Sequence, residues 1–122
     1  MAENKGFKEL KVWQRGKTLA VKVYEISGKG RFNLDFGLRD QVRRAAVSIP
    51  SNIAEGDTLG TNKQSIKHFY IAKGSSAELM TQFEIAQEIG YITNEMMTQI
   101  QEECLGLSGM LEKLINARLK VK

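Results

Sequence analysis

The sequence predicts an all-α fold: one domain over residues 1–122, an antiparallel up-down-up-down four-helix bundle that assembles as a cyclic homo-oligomer. Three observations predict it. Apolar residues recur at three- and four-residue spacings over four long stretches, the period of a helix face and not of a strand. Pro50 is the only proline in the chain, so little interrupts those stretches. Between them lie glycines and hydroxyl caps in connections short enough to join neighbouring helices. A chain of 122 residues buries roughly two-thirds of the surface that its unfolded form exposes, which is enough for one core.

The first helix is expected from about Lys8 to Ser27. Val12, Gly16, Leu19, Val23 and Ile26 make one apolar stripe, and Leu10, Trp13, Ala20, Val21 and Tyr24 a second beside it. Gly28 and Gly30 end the helix as conformationally permissive caps. A linker from Arg31 to Gly37 then folds Phe32, Leu34 and Phe36 back over one end of the core. The second helix, about Leu38 to Glu55, turns Leu38, Val42, Ala45, Ile49 and Ile53 inward. Its next stripe is polar: Gln41, Arg44, Ser48, Asn52 and Glu55. Pro50 removes one helical hydrogen bond, so a kink is expected there, with Ser48 and Asn52 suited to the freed carbonyls and Gly56 as the stop.

Thr61 and Gln64 have capping-box spacing and open the third helix, about 62–89, with Phe69, Ala72, Ser76, Leu79, Phe83 and Ala86 as its seam. Gly90 is its terminator. Thr93 caps the fourth helix, about 94–119, whose seam is Met97, Ile100, Cys104, Leu107, Leu111 and Leu114.

Composition narrows the function classes. Hydrophobic residues make up 42% and charged residues 26%, ordinary proportions for a globular domain. A single cysteine, Cys104, forbids an internal disulfide and points to a reducing compartment. Met1 to Gly6 lacks the apolar stretch of a secretory leader, and no 18-residue apolar run occurs anywhere, so a cytoplasmic protein without membrane association is expected.

Charge is polarised along the chain. Gly74 through Glu112 holds seven glutamates (78, 84, 88, 95, 102, 103 and 112) and no lysine or arginine, whereas the first 44 residues carry eleven basic residues against five acids. The net charge of +4 permits nucleic-acid contact without demanding it. Lys8, Lys11, Arg15 and Lys22 on the first helix, with Arg39, Arg43 and Arg44 on the second, are the candidate phosphate contacts, since cations at helical spacing release counterions condensed on a polyanion. The competing expectation is that these charges pair with the acidic stretch within or between subunits.

No catalytic constellation stands out. His68 is the only histidine and is most of two helices away in sequence from Cys104, with no orienting third group and no oxyanion pocket in view. Cys104 on an apolar seam is expected as a buried, inert thiol. Glu55, Glu78 and His68 could in principle meet at a metal, but the Glu-x-x-His repeat of di-metal bundles is absent. Glu55 and Glu78 are expected instead to join Gln41, Arg44, Ser48 and Asn52 in polar contacts between helices or subunits, because an unpartnered buried carboxylate costs several kcal/mol. No glycine motif cradles phosphate; the glycines at 28, 30, 56, 60 and 90 read as caps and turns. No cofactor, metal or catalytic residue is expected.

The first helix carries more apolar surface than an outer bundle helix needs, so Leu10, Trp13 and Tyr24 are candidate subunit contacts. A basic surface and an acidic surface at different edges cannot pair isologously, because like would meet like. They can pair head to tail, and such an interface closes into a ring.

The run Gly37-Leu38-Arg39-Asp40-Gln41-Val42-Arg43-Arg44-Ala45-Ala46-Val47-Ser48-Ile49-Pro50-Ser51-Asn52-Ile53-Ala54-Glu55-Gly56 resembles the signature of the bacterial four-helix bundle proteins known as 23S ribosomal RNA intervening-sequence proteins. Phe7, Leu10 and Val12-Trp13-Gln14 support it before that run. Phe69, Ala72, Gly74-Ser75, Glu78-Leu79 and Ile89-Gly90-Tyr91-Ile92 support it after, so the likeness spans nearly the whole chain. The resemblance implies a homopentameric ring. It also implies kinship with the accessory variability protein of diversity-generating retroelements, a basic pentamer that engages reverse transcriptase and nucleic acid. Arg31-Phe32-Asn33-Leu34-Asp35, where the family has a proline-acid turn, and Arg39, where it has a small hydroxyl cap, are departures that bear on where the second helix starts. The leading expectation is therefore a non-enzymatic oligomer contacting RNA, DNA or a nucleic-acid enzyme. The alternative is a structural oligomer whose partner is another protein.

Overall fold

A computed structural model describes residues 6–59 and 61–120. Gly60 and Met1–Lys5, for which a turn and the absence of a leader were expected, lie outside the described residues. A 3-10 turn (Gly6–Glu9) leads into α1 (Lys11–Ser27), followed by α2 (Gly30–Leu34), α3 (Phe36–Thr58), α4 (Asn62–Glu88) and α5 (Asn94–Leu119). Five helices, four of them long, account for the fold, and no strand occurs among the described residues.

Helix α1 starts later than its apolar pattern suggests. Leu10 is extended (ψ 124°) and separates the helix from the 3-10 turn, so Lys8 lies on that turn and not on α1. At the other end Gly28 closes α1 with an ordinary φ of −89°; the left-handed residue is Gly30, at φ +56°. What reads as a linker is then the short helix α2. Only Phe32 enters the core, against Phe83 at 5.9 Å and Tyr91 at 5.4 Å between ring centroids. Leu34 and Phe36, expected beside it, are 71% and 62% exposed, because Leu34 lies about 200° around α2 from Phe32 and Phe36 opens α3 beyond the break at Asp35.

Helix α3 begins two residues earlier than its periodicity suggests. The Asp35 carboxylate accepts the Leu38 N–H at 3.1 Å, supplying the cap that Arg39 does not. The helix carries Pro50 to its end at Thr58, and Asn52 Nδ2 donates to the Ser48 carbonyl and hydroxyl at 2.9 and 3.0 Å. Gly56 is not the stop. It lies inside the helix and is buried where α4 crosses closest: a Cβ there would fall 2.6 Å from Phe69 Cε1 and 3.0 Å from the Ser65 carbonyl.

Thr61 and Thr93 cap α4 and α5, accepting from the Gln64 and Met96 N–H groups. Gly90, at φ +85°, ends α4 in a Schellman motif: the Gly90 N–H reaches the Gln87 carbonyl and the Tyr91 N–H the Ala86 carbonyl. In α5 the buried seam passes from Leu111 to Ile115, leaving Leu114 half-buried, because a straight helix drifts relative to a seven-residue repeat.

One core joins the four long helices, with Val23, Val42, Ile49, Ile53, Phe69, Leu79, Phe83, Ile100, Leu107, Leu111 and Ile115 fully sealed. Contacts between successive helices run in opposite order along the chain. Gly16 meets Ile49 and Pro50, while Tyr24 meets Arg43. Ser65 meets Gly56, His68 meets Asn52, Ser75 meets Ser48 and Gln82 meets Gln41. Lys73 meets Glu112, Ser76 meets Cys104 and Gln87 meets Asn94. No helix of the described residues is long and apolar enough to cross a membrane.

Asp35 ties the start of α3 to the turn between α4 and α5. Its carboxylate caps Leu38 and accepts the Tyr91 hydroxyl at 2.8 Å; the Leu38 N–H first, and the tyrosine second, hold its carboxyl below the ordinary aspartate value. The ionised form is therefore favoured by folding. Its contribution is present above the unfolded value and is lost as pH falls through the depressed folded one. An Asp35→Ala variant should thus unfold at a lower temperature than the parent at neutral pH, and the gap in Tm should narrow as the solution is taken well below about pH 4.

Candidate nucleic-acid interface

The seven cations singled out in the sequence do not form one stripe. Arg15 reaches across to α5, where its guanidinium binds Glu103 at 3.2 Å and meets the Met110 sulfur at 3.5 Å. Arg39 bonds Asp40 and both oxygens of Asn33 and lies over the Phe36 ring. Arg43 donates to the Ser27 hydroxyl and the Tyr24 carbonyl and covers the Tyr24 ring at 4.5 Å. These planar forks tie elements together, a task suited to guanidinium more than to ammonium. Lys8, Lys11, Lys22 and Arg44 make no ion pair or side-chain hydrogen bond among the described residues. Arg44 also turns to the α4 side of α3, away from α1, where it lines a polar hollow of about 100 Å³ with Gln41, Ser48 and Glu78.

Six unpaired lysines lie at one end of the molecule, apart from Lys22 and Lys29. Phe7 on the 3-10 turn, Leu59 at the end of α3 and His68 on α4 line one pocket there. Lys11 and Lys113 line another between α1 and α5, with Leu10, Val12, Met110, Leu114 and Ala117, and Arg118 of α5 binds Asp57 of α3. Lys8, Lys11, Lys63, Lys67, Lys113 and Lys120 therefore share this end, all without an ion pair among the described residues. The carboxylates nearby are engaged: Asp57 by Arg118, Glu112 by Lys73, and Glu55 by His68. Sequence reasoning missed Lys63, Lys67, Lys113 and Lys120. The available signal was that these four flank the stretch free of lysine and arginine, in the first turns of one long helix and the last turns of the next. Glu84, Glu88, Glu95 and Glu102 lie toward the other end of α4 and α5, which they share with Lys29, Arg31 and Arg39.

The polar stripe of α3 faces α4. Gln41 accepts from Gln82 at 3.2 Å, Ser48 accepts from Ser75 at 2.9 Å, and Asn52 and Glu55 both meet His68 Nδ1, at 2.9 and 3.1 Å. Both partners of Nδ1 are accepting oxygens, so that nitrogen carries the hydrogen. The partners Ser75 and Gln82 were not expected from the sequence, because each lies one position before an α4 seam residue, Ser76 and Phe83, and gives no periodic signal of its own. Within the protomer Glu78 and Arg44, expected to join this set between helices or subunits, border the same hollow without bonding each other. Gln82 Oε1 is buried with no partner.

Of the expected subunit contacts, Leu10 borders the cleft between α1 and α5, and Trp13 is half-buried between the Phe7 ring and the Lys17 ammonium. Tyr24 is 46% exposed beside Val21 at 54%. His68 is engaged with α3, whereas Cys104 is sealed in the core, its thiol pushed up to about 11 chiefly by burial. A neutral thiol so placed is a poor nucleophile. No group of three His, Cys, Asp or Glu side chains that could hold a metal occurs among the described residues.

The family model for the 23S rRNA-intervening sequence protein matches residues 8–113. Among solved structures, a protein of unknown function from the S23 ribosomal protein family of Bacteroides thetaiotaomicron VPI-5482 superposes with a TM-score of 0.78. The two are 22% identical over 85% of this chain and 97% of that one, a likeness of fold. No curated protein matches the sequence.

Proposed function

This chain belongs to the 23S rRNA-intervening sequence protein family, and from that premise we propose that it performs no chemistry of its own. It acts as a cytoplasmic, oligomeric interaction module that contacts RNA or DNA, directly or together with an enzyme acting on them. The observation that carries this reading is the group of unpaired lysines at one end: Lys8, Lys11, Lys63, Lys67, Lys113 and Lys120. Ammonium groups left free while neighbouring carboxylates are occupied keep their charge available for phosphate, at no cost in broken ion pairs.

Affinity for a structured RNA should therefore fall steeply with salt, with a log–log slope that loses about one unit for each lysine removed. Lys67→Glu combined with Lys113→Glu should weaken binding several-fold at low salt while leaving the helical circular dichroism unchanged. Absence of binding by the parent protein even at low salt would overturn the proposal.

The opposed order of helix contacts supports an antiparallel up-down-up-down four-helix bundle. A second reading, a purely structural oligomer, rests on Val21, Tyr24 and Val47, which leave apolar surface on the α1 and α3 side of the protomer. The two are compatible, because an assembly using that side leaves the lysine end free. Head-to-tail pairing of unlike surfaces gives cyclic symmetry, and the resemblance supplies five as the subunit number. Light scattering should then show a closed oligomer for the parent and protomers for Tyr24→Asp. A parent protein that stays monomeric at high concentration would refute the ring.

A further inference from the structure

The pocket beneath the 3-10 turn extends the nucleic-acid reading, and the proposal rests on it. The space is about 320 Å³ and open to solvent, bordered by the Phe7 ring, the His68 imidazole and Ala54, Thr58, Leu59 and Glu55. Its volume is in the range that holds a small organic group, about 300–1,000 Å³. Two of its walls are flat rings, and Ala54 and Leu59 add aliphatic surface beside Thr58 and Glu55. Lys8 follows Phe7 in the chain and Lys67 precedes His68, so each ring has an unpaired lysine as its neighbour in sequence.

We propose that this pocket receives one unstacked base of a single-stranded nucleic acid, with the flanking phosphates held by Lys8 and Lys67. Flat apolar walls between cations match the chemistry of a nucleotide, a planar ring joined to an anion. A duplex cannot offer such a group, because its bases are stacked and paired, whereas single strands are gripped by base stacking on aromatic side chains along a basic track. The Glu55 carboxylate also borders the pocket, where it lies 3.1 Å from His68 Nδ1, so the strand's phosphates are placed toward Lys8 and Lys67 and away from it. On the α1 and α3 side the Tyr24 ring beside Val21 is already covered by the Arg43 guanidinium at 4.5 Å.

Trp13 supplies the reporter. It is the only tryptophan, and its ring meets Phe7 edge-on at 5.2 Å, so a base stacking on Phe7 must perturb its emission. The experiment titrates the full-length protein with an oligothymidylate of about 12 nucleotides, and separately with a duplex of equal length, following anisotropy and Trp13 fluorescence at several salt concentrations. The single strand should bind roughly tenfold or more tightly than the duplex and alter the emission, the scale of one stacked base. Ala54→Leu, which fills the pocket, and Phe7→Leu, which keeps apolar bulk and removes the ring, should both abolish that preference while retaining salt-dependent binding to the duplex. Equal binding of both nucleic acids, or a preference that survives both variants, overturns the pocket; if Lys8→Glu with Lys67→Glu then still weakens binding, the lysine surface stands without it. No binding of either probe at low salt overturns both.

Discussion

Replacing Gly56 by alanine should destabilise the fold by about 2–3 kcal/mol, read as a lower urea midpoint at unchanged slope. Intrinsic helix preference argues the other way, since alanine in a helix interior is favoured over glycine by about 1 kcal/mol. Packing decides the sign. The new Cβ would lie 2.6 and 2.9 Å from two carbons of Phe69 and 3.0 Å from the Ser65 carbonyl. The ring is fully buried, with the Arg118 guanidinium over it at 5.3 Å, and Ser65 donates its hydroxyl to the Gly56 carbonyl, so neither neighbour is free to withdraw. Valine at this position should cost more than alanine. Phe69→Leu shortens the offending side chain, so the double variant Gly56→Ala/Phe69→Leu should be more stable than the sum of the single losses allows, by about 0.5 kcal/mol or more. If Gly56→Ala proves neutral or stabilising, the close crossing of α3 and α4 at this point is wrong.

Gly56 also marks the boundary of what the sequence makes legible. The four long helices could be read from apolar periodicity, and their core faces followed: Val12, Leu19 and Val23 on α1, Val42, Ala45, Ile49 and Ile53 on α3, and the seam of α4 from Phe69 to Ala86 are all buried. Thr61, Thr93 and Gly90 were legible because capping is local chemistry, decided within four or five residues. Gly56 was misread because a glycine that lets two helices touch is written identically to a glycine that ends one. The start of α3 shifted because the cap is Asp35, three residues upstream of Leu38, where the apolar pattern begins.

The charged surface was legible as composition and not as a place. Lysines and arginines looked equivalent along α1 and α3, yet the arginines Arg15, Arg39 and Arg43 are bound to neighbouring groups while the lysines stay free. For Arg43 and Arg15 that division depends on contacts across 16 to 95 residues, beyond any periodic signal, while the partners of Arg39 lie one and six residues away. Lys63, Lys67, Lys113 and Lys120 join Lys8 and Lys11 only because the helix order returns those segments to the same end. A positional argument from helix direction would have found them; an inventory of charge along the chain could not.

Phe32 is where the same lesson becomes a measurable difference between residues that look alike. Phe32, Leu34 and Phe36 are three apolar side chains within five residues, and periodicity treats them as one patch. In the structure α2 turns Phe32 alone into the core, where it is fully buried against Phe83 and Tyr91. Phe32→Ala should therefore cost about 3–5 kcal/mol, the burial of the ring together with the cavity left by a site that cannot collapse. Leu34→Ala, at a position 71% exposed, should stay within about 0.5 kcal/mol of the parent. Phe36→Ala should lie near it, because all that its ring is seen to do is lie under the Arg39 guanidinium at 4.7 Å, an exposed contact worth about 0.5–1 kcal/mol. Loss of Phe32 should also loosen the α4–α5 turn, since Tyr91 packs on that ring while its hydroxyl holds Asp35. Amide exchange should then speed up at Leu38 and around Gly90 before it does in the middle of α4. Three equal losses would mean that the segment is the uniform apolar flap that periodicity alone suggests. One large loss and two small ones would fix α2 as the peg joining the start of α3 to the turn opposite.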